Sequence, residues 1–396
     1  MIPPREAWAR LLPHLAPLGA EELGRRAARG RVLAAPLAAT VDVPASDVSA
    51  MDGYALGGAA ARGKQRPVVG LVAAGHPPGF ALPPGAAVRI MTGAPVPAAA
   101  DRVIPVEETD GGEREVELRA APEPGAHVRR RGEILARSDQ LLPASAVLTP
   151  GALSLLATHG HRRVSVHRAP RVAIVTTGDE VVPPDADPGP GQLRDSHTDF
   201  LLAAGATLGL EPVHLGIAPD REDAIAGLVE RGLAADVLLV CGGVSAGEFD
   251  FVEGVLAGFG CRPLFDAVAI QPGKPVVAAV HPGGLVFGLP GNPASVMVTF
   301  WLLVRPALRR LLGHRDGYLE GAVTGELAGP APGAKGRDRF LPAEVAWEGG
   351  RAKVALIEPK GSHDVAAYGR GNALVRIAAG APPAAAGESC LALPIG

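Results

Sequence analysis

The chain has 396 residues, 47% hydrophobic and 20% charged, which is enough apolar material for roughly two to four packed domains. A formal net charge of −3 excludes the concentrated basic excess of a dedicated nucleic-acid binder. Cys241, Cys261 and Cys390 are far apart, so neither a disulfide framework nor a CxxC metal pair is present, as suits a reducing cytoplasm.

The opening MIPPREAWARLLPHLAPLG interrupts its apolar residues with Arg5, Glu6 and Arg10, unlike a signal peptide. The longest apolar run, 294–304, is far short of the ~20 residues that span a bilayer. A soluble, cytoplasmic protein with no membrane association is expected. Residues 5–18 place Ala7, Leu11, Leu12 and Leu15 on one helical stripe, and 20–29 continue with helix formers, predicting a second helix. From Val41 to Gly132 the texture changes to short β-prone runs broken by Pro and Gly, and helical character returns at 151–160.

Residues 171–312 alternate apolar strands (RVAIVTTG, EPVHLGIA, DVLLVCGG, GGLVFGLPG) with helical segments, the last being the long NPASVMVTFWLLVRPALRRLLG. Such alternation predicts a three-layer α/β sandwich with a mostly parallel sheet. After Gly313 short strands and Gly-rich turns return, predicting a small C-terminal β-barrel. The expected division is a helical linker domain (1–43 plus 133–168), an inserted β-rich domain (44–132), the α/β domain (169–313) and the C-terminal barrel (314–396).

Ligands of open parallel sheets bind beyond the carboxyl ends of the strands. Here those ends carry Thr176–Glu180, Cys241–Glu248 with Asp250 just beyond, Gln271–Pro275 and Gly288–Ser295. The glycines around Gly243 let backbone N–H groups approach a phosphate, with Ser245 as a hydroxyl donor, though they serve an ordinary tight turn equally well. Asn292 is placed as a helix N-cap and Pro293 at the first helical position, leaving free N–H groups near Ser295. That is equally a well-made helix start. Asp179 and Glu180 directly follow a buried strand and suit a divalent metal shared with phosphate oxygens. Asp250 can accept paired donors from a 2-amino-pyrimidinone edge, and Lys274 is a point charge for an oxyanion. Neither a nucleophile–base triad nor HExxH is present.

Eight segments then occur in a recognisable order: SAMDGYA (49–55), RIMTGAPVP (89–97), VRRRGE (128–133), TGDE (177–180), GGVSAGE (242–248), PGKP (272–275), GLPGNPAS (288–295) and GSHD (361–364). Together they resemble the molybdopterin molybdenumtransferase family, which includes the gephyrin E-domain. The resemblance implies an elongated homodimer of four-part subunits that converts adenylyl-molybdopterin and molybdate into molybdenum cofactor and AMP, with Mg²⁺ required. It also implies that the MDGYA loop faces the α/β domain of the partner subunit, giving a shared active site, and that a molybdopterin adenylyltransferase is the upstream partner.

On that basis Asp52, Thr92, Glu180 and Asp220 are the expected catalytic positions, and Asp179 with Glu180 the metal site. Asp250, Ser245, Gly243, Lys274, Asn292, Ser295, Ser362 and Arg129 are expected to bind substrate, Asp250 holding the pterin and Lys274 and Ser362 lining the anion pocket. Asp220 doubles as a helix N-cap, Asp52 and Thr92 also suit turn capping, and Arg129–Arg131 also suit a solvated face. The chain departs from the family's usual pattern at four places. Ile134 stands where Asp is frequent, Gln271 where Lys is frequent, and Pro342 where Arg is common. His197 follows Asp195-Ser196 where Asp-Ser-Asn is usual. The sister adenylyltransferase is similar to the α/β segment alone and lacks the MDGYA, TGAPVP and C-terminal parts.

Overall fold

The computed structural model describes residues 1–77, 79–243, 251–315 and 317–395. It divides into two compact units, one of Met1–Leu23, Gly30–Ala34 and Ser165–Gly396, the other of Gly24–Arg29 and Ala35–Val164.

The first unit is built on a six-stranded sheet of β1 (Val172–Thr177), β2 (Val213–Ala218), β3 (Val237–Cys241), β4 (Arg262–Ala267), β5 (Pro275–His281) and β6 (Gly284–Leu289). Its spatial order is β2-β1-β3-β6-β5-β4. The strands from β2 to β6 are parallel, while β5 and β4 form an antiparallel edge. The sequence reading missed that edge, because Pro263, Pro272, Gly273 and Pro275 disguise two strands as turns.

Parallel strands are buried on both faces, and side chains alternate between them. Val172 and Ile174 enter one core with Val237, Leu239, Leu285 and Phe287, while Ala173 and Val175 enter the other with Leu238, Val240 and Val286. Helices cover both faces. The first core takes α1 (Pro4–Leu11), α2 (His197–Ala206), α5 (Pro293–Thr299) and α6 (Arg305–Leu311). The second takes α3 (Glu222–Gly232) and α4 (Val252–Gly258). Between α5 and α6 the backbone widens to a π-helical turn, Phe300–Val304. Pro306 has no N–H to give the carbonyl four residues back, so the long predicted helix is not α-helical throughout but passes through this turn.

The N-terminal helix is anchored at a distance. The Ile2 N–H donates to the Ala267 carbonyl at 3.0 Å, the Ala269 N–H donates to the Ile2 carbonyl at 2.8 Å, and Ala7, Trp8 and Leu11 enter the first core. The second helix expected over 20–29 is not formed. Ala20–Gly24 is a strand paired with Arg163–His167, followed by turns, so tertiary pairing has overridden local propensity.

Beyond the sheet, β7 (Val323–Leu327), β8 (Asp338–Glu348), β9 (Arg351–Leu356), β10 (Ala373–Ile377) and β11 (Ser389–Pro394) close on themselves in the order β8-β9-β7-β11-β10-β8. The predicted barrel is therefore present, its interior filled by small residues such as Ala343, Ala373 and Ala392 with Val354 and Val375. The unpredicted helix α7 (Val365–Arg370) carries Ala367 and Tyr368 into the core of the α/β layers, and the Tyr368 hydroxyl donates to the Phe340 carbonyl at 2.9 Å.

In the second unit, Gly53–Leu56 is flanked by Ala87–Ile90 and Arg102–Pro105 in a five-stranded sheet completed by Gln65–Val72 and Glu115–Glu117. The short strands read between Val41 and Gly132 are thus present, as this five-stranded sheet. Pro150–Thr158 is the returning helix, capped by the Thr149 hydroxyl, which accepts from the Ala152 N–H at 3.2 Å.

Candidate active site

Strand order runs outward in both directions from β1, so the carboxyl ends of β1 and β3 flank a topological switch point. A cleft of about 1170 Å³ opens there. Thr177, Gly178 and Glu180 from the end of β1 line it, with Gly242 and Gly243 after β3. The Gln271–Pro275 loop, the Pro290–Pro293 loop and Ser295 contribute another wall, and the barrel side adds Arg337, Arg339 and Lys360–His363. All four predicted strand-end loops thus meet in one place, together with Ser362 from the GSHD loop. Val244–Asp250 lie outside the described residues, and with them the predicted positions Ser245 and Asp250.

Glycine is required at Gly242 by both backbone conformation and packing. Its φ is +96°, and a Cβ there would stand 2.7 Å from the Thr177 hydroxyl. Gly243, with φ +65°, would bring a Cβ to 2.8 Å from a Val252 methyl. The turn reading of these glycines and a cleft-lining role therefore coexist.

Glu180 and Asp220 line the cleft, whereas Asp179 lines a neighbouring cavity of about 770 Å³ together with Asp185, Asp195, Asp199 and His214. Asp220 is not the N-cap of α3. That position belongs to Arg221, whose side chain makes no capping bond. Asp220 and Asp179 instead lock each other: the Asp179 N–H donates to Asp220 Oδ2 at 3.3 Å, and the Asp220 N–H donates to Asp179 Oδ1 at 3.1 Å. Among the described residues no group of three His, Cys, Asp or Glu converges as a metal cage. The three carboxylates around the β1 end are hard oxygen donors, the class that Mg²⁺ takes alongside phosphate oxygens.

Cations supply the other character of the cleft. Lys274 and Arg337 line it, Arg337 donating to the Ile270 carbonyl at 3.5 Å. Gln271, uncharged, begins the same loop as Lys274. Asn292 occupies the N-cap position of α5 with Pro293 at the first helical residue, as expected, but its side chain makes no capping bond. The Ala294 N–H at that helix start donates to the Ser362 carbonyl at 3.2 Å, which brings the GSHD loop against the strand-end loops. Asp364 closes the GSHD loop, accepting from the Lys360 N–H at 2.9 Å and the Ala367 N–H at 3.0 Å. Those two donors hold its carboxyl below the ordinary carboxylate range.

In the second unit, Asp52 and Thr92 are brought together as a pair. The Thr92 N–H donates to Asp52 Oδ1 at 2.6 Å and the Thr92 hydroxyl donates to the same oxygen at 2.7 Å. These bonds hold the Asp52 carboxyl below its usual range. The arginine triplet is more committed than its charge implies. Arg130 pairs with Asp47 at 2.5 Å and Arg131 with Asp42 at 2.6 Å, while Arg129 is exposed. Ile134 is 68% exposed in the same region.

Asp195 was not singled out by the sequence reading. It is 3% exposed and lines both cavities. The available signal was an aspartate two residues before a helix, where carboxylates satisfy free N–H groups.

Three family models match successive parts of the chain. Residues 2–160 match the family model described as the MoeA N-terminal region (domain I and II). Residues 173–310 match that of a probable molybdopterin binding domain, and 324–395 that of the MoeA C-terminal region (domain IV). The chain is 34% identical over 365 residues to molybdopterin molybdenumtransferase 2 of Mycobacterium tuberculosis, covering 88% of this chain and 89% of the relative. It is 39% identical over 302 residues to a molybdopterin molybdenumtransferase of Nostoc sp., covering 74% and 69%. A solved molybdopterin biosynthesis MoeA protein of Pyrococcus superposes with a TM-score of 0.82 at 30% identity, covering 100% of this chain and 99% of that one.

Proposed function

The chain belongs to the molybdopterin molybdenumtransferase family, and from that premise we propose that it inserts molybdate into adenylyl-molybdopterin, releasing AMP and forming the molybdenum cofactor. The observation that carries this reading is the composition of the cleft: carboxylates from the β1 end and cations from the Gln271–Pro275 loop and the barrel meet at the switch point. An adenylylated pterin presents a diphosphate and molybdate is itself an oxyanion, so both reactants call for fixed positive charge. Lys274 and Arg337 supply it, and the Ser362 hydroxyl adds a neutral hydrogen-bond donor.

Glu180 with Asp179 would hold Mg²⁺, which would supply charge neutralisation for the diphosphate. The mutual lock between Asp179 and Asp220 keeps both carboxylates fixed before substrate arrives. Gly243, Asn292 and Ser295 shape the phosphate end, and Asp250 holds the pterin edge. Asp52, Thr92 and Arg129 serve the site of a partner subunit in a homodimer. A cytoplasmic adenylyltransferase supplies the adenylylated pterin. No helix is long and apolar enough to cross a membrane among the described residues.

The test is molybdate-dependent AMP release from adenylyl-molybdopterin with Mg²⁺ present. Glu180→Gln is expected to keep the fold and lose on the order of 10²-fold in rate at low molybdate. Tight pterin binding by the wild type without molybdate-dependent AMP release would overturn the transferase reading in favour of a carrier or scaffold.

A further inference from the structure

The first turn of α2 presents a group to the cleft that the proposed reaction leaves unused. His197 is the first residue of α2, half-buried, and lines the cleft. Among the described residues its imidazole makes no hydrogen bond, although its backbone is tightly held. The His197 and Thr198 N–H groups donate to Asp195 Oδ1 at 2.9 and 3.1 Å. The Thr198 and Thr176 hydroxyls donate to Asp195 Oδ2 at 2.6 and 3.2 Å. One carboxylate, 3% exposed, thus ties the start of α2 to the end of β1.

The same segment is laddered to the wall that carries Glu180. The Leu193 N–H donates to the Glu180 carbonyl at 2.8 Å, and the Asp195 N–H donates to the Val182 carbonyl at 2.8 Å. His197 therefore stands three residues after the short strand Leu193–Arg194, which pairs with Val181–Val182 beside Glu180, on the phosphate side of the cleft as assigned above. Burial pushes its proton affinity down, with the Asp195 carboxylate opposing. Burial thus favours the neutral imidazole, which carries one N–H donor and one lone pair. Such a ring can donate to a phosphoryl oxygen without adding a further cation to a site already holding Lys274 and Arg337.

We propose that His197 is a substrate-binding residue, donating a hydrogen bond to a phosphoryl oxygen of the adenylylated pterin, and that the buried Asp195 is the positioning residue that holds it there. This rests on the transferase reading and adds a residue to it. It also gives physical content to the departure at 197, since an imidazole reaches further from the same backbone than a shorter amide does.

Steady-state kinetics on the full-length protein test it, varying adenylyl-molybdopterin at saturating molybdate. His197→Ala is expected to raise KM about tenfold or more with a smaller change in kcat, as for loss of a hydrogen bond to a charged acceptor. His197→Gln, which keeps an N–H donor, is expected to recover most of that loss. Asp195→Asn should raise KM in the wild-type background and change it by less than about twofold in the His197→Ala background, because the two residues act as one unit. Should Asp195→Asn fail to fold, the His197 variants decide alone. A wild-type KM in His197→Ala overturns the inference, as does an Asp195→Asn effect that multiplies undiminished onto His197→Ala. Active wild type with an unaffected His197→Ala overturns this inference alone. Absence of molybdate-dependent turnover in the wild type overturns the transferase reading; calorimetric binding of adenylyl-molybdopterin to the same variants then decides, equal affinities refuting His197.

Discussion

Asp52 takes two donors from one neighbour, and both reach the same oxygen, Oδ1, with no bond to Oδ2 among the described residues. Thr92 thereby fixes which face of the carboxylate is presented. Thr92→Val removes the hydroxyl and keeps the backbone N–H, so we expect a loss of roughly tenfold in kcat, less than that of Asp52→Ala; equal losses would show that Thr92 does more than orient Asp52. A different aspartate governs stability. Asp236, with an 8% exposed side chain, accepts from both terminal nitrogens of Arg168 at 2.8 Å and from the Arg171 N–H at 2.8 Å. The Arg168 guanidinium holds its carboxyl far below the usual range, against the opposing effect of burial. Because the folded-state pKa is depressed, this stabilisation is fully present above the ordinary carboxylate range and is lost as pH falls below about 4. Asp236→Ala is expected to cost about 2–3 kcal/mol at pH 7 by urea denaturation, somewhat under a fully buried pair because Arg168 is part-exposed. The difference from wild type should shrink toward pH 3. Asp179, Glu180 and Lys274 could be singled out because they stand in short motifs at strand ends, and Ser362 only through the family resemblance. Asp195 was not, because its importance arises from four donors brought together from two elements.

Glycines at element junctions set the geometry that those residues need. A Cβ on Gly53 would stand 1.9 Å from the Ile104 carbonyl oxygen, so the strand following Asp52 can approach its neighbour only as glycine. Gly53→Ala must push two strands apart; we expect a loss of about 1–3 kcal/mol in chemical denaturation, with activity falling together with that of Asp52 variants. An unchanged denaturation midpoint would refute the packing argument. The central strands β1, β3 and β6 were readable as continuous apolar runs because both of their faces are covered. The antiparallel edge was not, since β4 and β5 begin with or contain proline and lie among turn residues. The strand Ala20–Gly24 was also hidden, its AEELG sequence favouring helix until a partner strand pairs with it. The barrel was legible from strand spacing, but its closure through β8 and β10 depends on pairings that no local pattern encodes.

At the scale of the whole molecule, the first unit is assembled from segments at both ends of the chain. Removing residues 1–11 would delete Ala7, Trp8 and Leu11 from the core that holds Phe265 and Val268. At about 1.5–3 kcal/mol for each large buried side chain, the loss approaches a sizeable part of a typical domain's ~5–15 kcal/mol. We expect the truncated protein to melt at markedly lower temperature by calorimetry, and a melting profile matching the full chain would refute the anchoring of α1. That anchoring also sets an order in time. Arg10 donates to the carbonyl of Leu264, 254 positions downstream. During synthesis the first helix emerges long before the strand that receives it, and its apolar stripe must wait uncovered while the intervening residues are made. The stripe of α1 is thus covered only once β4 is present, so a chain halted before β4 leaves that stripe open to chaperones and proteases.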